Sequence, residues 1–583
     1  MNASEANLKE KKYLEDLSFQ WNANKNDDSK NERDVLEKLR PHPNLKRLSI
    51  KYYNGTRFPD WFADTTLSNI VALRLQSCKY CSGLPSLGLL PSLKSLTIEG
   101  LDYIVVIGAE LSSGSLESLE LVRMVNWEEW DCINASSAFP SLKELRIRNC
   151  PKLKETLPQQ LASLGPSLKS LAIEGLDGIV AIGAELSSGS LEFLEFVRMV
   201  NWEEWDCTNA LSAFPSLKEL RIRNCPKLKE TLPQQLPSLG DLVIQDCPQL
   251  VALIPWAPTI RTLTLTNCEK VQLECAPASL KVLRFGGPCT NASMLEKIEH
   301  SINNNCIEEV EIYDCPNLKF PLSQQHDSLC KIWIKRSCGS LRSFPLDLFP
   351  ALDLLSLHGC DNLEMIDVSE GCNHVPTSLT SLAINQCPNF ISFSEGEFSS
   401  LRECYLAHLG NLKSLPEPMN TFVPSLHTLE IWNCPQLEPF PEGSLPSKLR
   451  RLSIVNCPKL FACRMKWGLH NLGFLHSFEI SGDDAVESLL EPGLLPTCLT
   501  YLSIIRCSNL KMLDYKALCQ FPSLKELNLR DCPRLQCLPK EGLPSSLSYL
   551  SITGDCPELK QRCQKLKGED WPKIAHIPCL WIS

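Results

Sequence analysis

The chain has 583 residues, 43% hydrophobic and 22% charged, with a formal net charge of -10. A single hydrophobic core stops growing near ~250–300 residues, so this length requires several domains or one elongated array. The acidic balance gives no electrostatic case for nucleic acid or an anionic membrane surface as a partner.

The opening segment, MNASEANLKEKKYLEDLSFQW (1–21), is charged and lacks the apolar core of a secretory signal. No run in the chain approaches the ~18 apolar residues of a membrane span. Without secretory entry, the 29 cysteines are expected to stay reduced in the cytoplasm, with the nucleus or the plasma-membrane periphery as alternatives. The sequons at Asn54 and Asn291 are then chance matches. Residues 1–44 are expected to hold an edge repeat beginning at Leu14 and a helix over NERDVLEKL (31–39).

From 45 to 556 one frame recurs, L-x-x-L-x-I-x-x-C-P-x-L, exemplified by Leu142, Leu145, Ile147, Cys150 and Leu153. With the copy at Leu14 there are about 23 units up to Leu547, mostly ~23–26 residues apart, which is the leucine-rich-repeat range. The fourth and sixth positions lie two apart, so they share one face of a short strand and point into a coil. No coil buries its leucines alone, and stacked neighbours close it. The expected fold is an α/β solenoid, a leucine-rich-repeat horseshoe with a concave parallel β-sheet and an irregular, Pro-rich convex side with few helices.

Within the array, residues 91–165 and 166–240 align without a gap and differ at about eight positions, including Thr97/Ala172, Tyr103/Gly178, Ser118/Phe193 and Leu121/Phe196. This internal duplication is three whole coils, which a solenoid accepts because each coil meets only neighbours like itself. Return segments such as TLPQQLPSLG, SFPLDLFP and PFPEGSLPS carry too much proline for helix and are expected to be extended or 3₁₀. The exception is SMLEKIEHSI (293–302), expected to be a helix with a Ser293/Glu296 capping box and Leu295, Ile298 and Ile302 on one face. Residues 557–583 are expected to form a C-terminal cap.

Catalytic chemistry finds no support. There is no GxSxG, HExxH or kinase signature and no GxxxxGK(S/T) phosphate loop, so no enzyme activity, catalytic residue or cofactor is expected. Twelve cysteines occupy the ninth frame position: Cys78, Cys150, Cys225, Cys247, Cys268, Cys315, Cys360, Cys387, Cys434, Cys457, Cys507 and Cys532. Other units place Leu101, Met124, Leu176, Met199 or Leu409 there, so the slot is apolar and no metal is expected. The Cys78/Cys81 pair has no second pair or histidine partner. Trp127 and Trp130, in the repeated phrase NWEEWDC, are expected to pack over a coil edge rather than dock a partner.

The outward strand positions are the informative surface. Arg146 and Arg148 form a basic pair that returns as Arg221 and Arg223, Phe193 is an outward difference in the duplicated block, and Tyr313, Trp333, Tyr405, Trp432, Tyr501 and Tyr549 follow. Aromatic and arginine side chains anchor protein interfaces, so these are the candidate partner-binding residues of the concave face.

The frame, the phrases DLSFQW (16–21), LRPHPNLKRLSI (39–50), GTRFPDWF (55–62), LPSLGLLPSLKSL (84–96) and NWEEWDC, and the tail RCQKLKGEDWPKIAHIP (562–578) resemble one family. It is the leucine-rich-repeat region of plant intracellular disease-resistance receptors of the coiled-coil, nucleotide-binding, leucine-rich-repeat class. The resemblance covers essentially the whole chain but not the coiled-coil and nucleotide-binding domains, nor the first few repeats, of such a receptor. It implies a sensor that binds a pathogen effector or a guarded host protein and restrains a nucleotide-binding domain. An uncovered first coil at Leu14 points to a fragment, a truncated product or a chain that borrows its cap. The alternative is a free-standing leucine-rich-repeat interaction scaffold, adaptor or decoy.

Overall fold

The computed structural model describes residues 3–583 apart from 23–28, 64–66, 132–138, 154–166, 184–185, 187, 207–213, 230–231, 275–276, 289–290, 304–305, 368–377, 395–396 and 482–492. It divides into two compact units, Met1–Lys297 and Ile298–Ser583. Each unit is a parallel leucine-rich-repeat β-solenoid. Every frame start in the sequence is followed by a five-residue strand, as Leu142 is by Glu144–Arg148. In the first unit, twelve such strands pair in parallel from Asp16–Gln20 to Val282–Gly286. In the second, twelve pair from Glu309–Tyr313 to Cys579–Ile582.

The register never slips within these ladders, and the alternation of the frame is the reason. Leu119, Leu145 and Leu171 stand opposite one another on successive strands, as do Leu121, Ile147 and Ile173. All six are at most 2% exposed. A one-residue slip would turn both rows out of the coil, losing roughly 1.5–3 kcal/mol for each leucine or isoleucine uncovered. The first coil is the exception, because Leu14, Leu17 and Phe19 are only half-buried.

The chain turns out of most strands through one left-handed residue at the eighth frame position. Asn149, Asn224, Asn267, Asn433 and Asn456 have φ of 53–56°, and Gly100, Gly175 and Gly359 have φ of 63–65°. Asparagine and glycine tolerate this conformation, which costs other residues roughly 1–2 kcal/mol. At most corners its N–H donates to the carbonyl that ends the next strand, as Asn149 does to Glu174 at 2.7 Å and Asn224 to Gln245 at 2.9 Å, whereas Asn456 donates to Ser481 Oγ at 2.6 Å. At those corners one backbone bond prolongs the sheet ladder around the turn.

Immediately after the corner comes the cysteine slot. Of the twelve ninth-position cysteines, eleven are buried and Cys268 is half-buried. Cys150 and Cys225 donate through Sγ to the last carbonyls of their own strands, Arg148 and Arg223, each at 3.4 Å. Leu101, Met124, Leu176, Met199 and Leu409 fill the same slot with 0% exposure, so the position is apolar packing. Cys78 and Cys81 are both wholly buried, and burial pushes the Cys78 thiol up to about 12.

The return segments are short and irregular. SFPLDLFP is a strand, Ser343–Pro345, followed by a 3₁₀ turn, Leu346–Leu348. The two expected helices are present as Ser29–Lys38 and Ala292–Asn303. Leu295, Ile298 and Ile302 are buried, but the cap differs from the Ser293/Glu296 box. Asn291 Oδ1 accepts from the N–H of Ser293 at 3.1 Å and of Met294 at 3.3 Å, so the residue read as a chance sequon is the helix cap. Trp127 and Trp130 are core, at 0% and 1% exposure, with ring centroids 5.7 Å apart and Trp127 Nε1 donating to the Glu129 carbonyl at 2.9 Å. The C-terminal stretch forms two short helices, Pro557–Arg562 and Trp571–Ile574, then the strand Cys579–Ile582.

Candidate interaction surface

Three residues of each strand face away from the coil: the first, third and fifth. In the first unit these carry a charge lattice rather than free arginines. Arg148 lies 3.5 Å from Glu120 on one neighbouring strand and 3.6 Å from Glu174 on the other. Arg223 reaches Glu195 at 3.5 Å and Arg221 reaches the same carboxylate at 3.9 Å. Arg221 also pairs with Glu219 and sits 5.4 Å over the Phe193 ring. Phe193, Arg221 and Arg223 thus form one cluster, while Arg146 is exposed at the centre of its own strand. Ala172, the outward counterpart of Thr97, is only 4% exposed, standing in register between Arg146 and Glu195. An alanine there is too short to rise above its longer neighbours, so it does not vary the exposed face.

The second unit carries the aromatic positions. Tyr313 and Trp333 lie on its first two strands, and Tyr501 and Tyr549 at the starts of later ones, all half-buried. Tyr405 and Trp432 lie on adjacent strands and share a polar cluster that sequence reasoning missed. Trp432, 39% exposed, donates through Nε1 to Ser453 Oγ at 2.9 Å, and Ser453 Oγ donates to Glu479 Oε1 at 2.8 Å. That chain fixes the indole. Tyr405 O–H donates to Glu403 Oε2 at 3.4 Å, and burial, with Glu403 and Glu430 nearby, raises its phenol. Burial raises the Glu430 carboxyl, Arg451 at 3.9 Å opposes the shift, and Glu479 and Glu403 reinforce it. The signal for this cluster was present as Glu403, Glu430 and Glu479 at outward positions, but their juxtaposition depends on coil lengths of more than twenty residues.

The residue just before each strand makes a rim along the sheet. In the first unit it includes two glutamates set between lysines. Glu117 is bridged by Lys94 at 2.9 Å and Lys143 at 2.6 Å, and three coils later Glu192 is bridged by Lys169 at 2.9 Å and Lys218 at 2.6 Å. Hydrogen bonds from the flanking lysines hold each carboxyl down at about 2. In the second unit four successive equivalent positions, Arg402, His427, Arg450 and His476, include no acid.

Residues 1–101 match the family described as R13L1/DRL21 LRRs. The whole chain aligns with a putative disease resistance protein, At3g14460, of Arabidopsis thaliana, 27% identical and covering 50% of that protein. A putative disease resistance RPP13-like protein 1 of the same plant is 40% identical over 28% of this chain and 18% of its own length. The chain therefore spans about half, or less, of these curated relatives. Among solved structures, the circular leucine-rich-repeat protein CroV588 overlays with a TM-score of 0.44 at 15% identity, covering 92% of this chain and 85% of that one. No helix among the described residues is long and apolar enough to cross a membrane.

Proposed function

The chain is a leucine-rich-repeat protein similar along its whole length to plant disease resistance proteins, and on that premise we propose that it is the recognition region of a plant intracellular immune receptor. The outward sheet face binds a pathogen effector or a guarded host protein, and the same solenoid restrains a nucleotide-binding module until that partner arrives. It acts in the cytoplasm. The observation that carries this reading is the alignment of 100% of the chain with a disease resistance protein. The sheet face supports it, because Trp432 is an exposed indole fixed by Ser453, the kind of rigid aromatic that anchors interfaces.

The test is affinity capture from pathogen-challenged plant tissue, with the full chain as bait and a Tyr405→Ala/Trp432→Ala chain as control. A partner retained by the first and lost by the second, with unchanged thermal unfolding, is the expected result. A set of captured proteins indifferent to both substitutions would overturn it.

A further inference from the structure

We propose that the rim of the second unit, at Arg402, His427, Arg450 and His476, docks an acidic segment of the protein partner. The inference rests on the reading that this sheet face recognises a protein, and it adds the chemistry of what is recognised.

These four residues are direct neighbours. The His427 N–H donates to the Arg402 carbonyl at 2.8 Å, Arg450 to His427 at 2.8 Å and His476 to Arg450 at 2.9 Å. Adjacent coils lie ~4.8 Å apart, so the four positions span roughly 14 Å without an intervening carboxylate. The nearest acid on the same row, Asp353, already accepts from Thr380 Oγ1 at 2.5 Å. Both imidazoles are oriented. His427 Nδ1 meets the Ser425 carbonyl at 2.5 Å and His476 Nδ1 meets the Cys498 carbonyl at 3.2 Å, so each Nδ1 is the donor and each Nε2 is left for another group.

The first unit supplies the contrast. Between Lys94 and Lys218 its rim carries two glutamates, Glu117 and Glu192, each clamped by two lysines from the adjoining coils. From Arg402 to His476 the second unit has the same backbone geometry with no carboxylate on the row, on a chain whose net charge is -10. A positive row on an otherwise acidic protein attracts carboxylates by complementarity and steers their approach. Three acids flank the row on the sheet side: Glu403, Glu430 with its partner Arg451, and Glu479, which accepts from Ser453 Oγ. They disfavour a nucleic-acid strand, whose phosphates are continuous, and admit a peptide whose carboxylates are spaced.

The probe is a fluorescein-labelled twelve-residue peptide of alternating Glu and Ser, titrated with the full chain and read by anisotropy. Expected are saturable binding at low salt, weakening as salt rises, and at least a tenfold loss in Arg402→Gln/Arg450→Gln, whose two arginines are exposed. Lys143→Gln, on the other rim, should leave binding unchanged. No binding at low salt, equal binding by the double variant, or equally tight binding of a single-stranded oligonucleotide of the same charge would overturn the proposal. A partner captured through Trp432 but indifferent to Arg402→Gln/Arg450→Gln would sink this proposal alone. Specific binding of the acidic peptide with no partner captured through Trp432 would sink the recognition reading alone.

Discussion

Arg562 donates through Nε to Asp570 Oδ2 at 3.0 Å, and the aspartate that receives it is completely buried. Asp570 also takes Lys573 Nζ at 2.8 Å and the Leu538 N–H at 3.0 Å. One carboxylate thus ties both short C-terminal helices to the last coils. Removing it leaves the buried Leu538 N–H without an acceptor and takes the shared carboxylate from two cations, of which Arg562 keeps Glu569 and Lys573 the Leu538 carbonyl. Asp570→Ala should destabilise the second unit by about 1–3 kcal/mol, read as a lower urea midpoint, and hydrogen exchange should show the Tyr549–Thr553 strand losing protection.

The same pair sets a pH dependence. Burial alone would raise the Asp570 carboxyl, but the bonds from Arg562, Lys573 and the Leu538 N–H outweigh it, so its pKa lies below the ordinary value. A depressed carboxylate contributes stability above its unfolded pKa, near ~3.9, and loses it as pH falls through the folded value. Unfolding curves of the native chain and Asp570→Asn should therefore be well separated at pH 7 and converge below about pH 4. A constant gap across that range would contradict the assignment.

The left-handed corners predict opposite outcomes for two substitutions. Gly287 has φ of 110°, and an added Cβ would lie 2.5 Å from Asn267 Oδ1 and 2.9 Å from its backbone N. Gly287→Ala should cost about 1–3 kcal/mol in thermal unfolding. Asn224, at φ 54°, already adopts a conformation that glycine reaches freely, so Asn224→Gly should change stability by less than about 0.5 kcal/mol.

The duplicated block is a built-in comparison. Leu121 and Phe196 hold the same wholly buried position, but Phe196 lies 4.7 Å from the Trp202 ring and 5.5 Å from that of Trp205. Phe196→Leu, restoring the residue of the other copy, should cost about 0.5–1.5 kcal/mol of aromatic contact in a denaturant titration. Gly178 has a related reason. A side chain there would collide with the Leu153 carbonyl, whereas Tyr103 in the first copy is exposed and lies 5.9 Å from Tyr80.

Thiol chemistry should separate the slots from the surface. Cys519 and Cys579 are exposed, while Cys150 is wholly buried with its thiol pushed up by burial to about 12. Maleimide labelling of the native chain followed by peptide mapping should modify Cys519 and Cys579 first and reach Cys150 only in denaturant. Early modification of Cys150 would show the coil to be open at that position.

The strands, the rows that face into each coil and the cysteine slot were legible in the letters because their cause is local. An x-Φ-x-Φ-x alternation can bury its apolar residues in one way only, and a slot that accepts Cys, Leu and Met is apolar wherever it recurs. The left-handed corner was legible only where Asn, Asp or Gly stands just before the slot, because Tyr52, Ser77, Arg123, Arg198, Arg336, Gln386, His408 and Arg506 hold the same conformation elsewhere. The Asn291 cap was hidden because a sequon and a helix cap use the same side chain. The last strand, Cys579–Ile582, lacks the frame and was missed, since its place follows from the fold of 557–578 around Asp570.

The outward surface belongs to the tertiary structure. Which residues stand there follows from parity, but what they do depends on neighbours one coil away. Arg221 and Arg223 read as free cations and are instead tied to Glu195. Ala172 reads as surface and is covered. Glu403, Glu430 and Glu479 meet around Tyr405 and Trp432 only because successive coils bring them into register. The sequence by itself determined the period, the strands and the core, where each residue's partner type is set within a dozen positions. The tertiary structure decided the charge pattern, because electrostatic neighbours on a solenoid face are separated by a whole coil whose length the alternation does not encode.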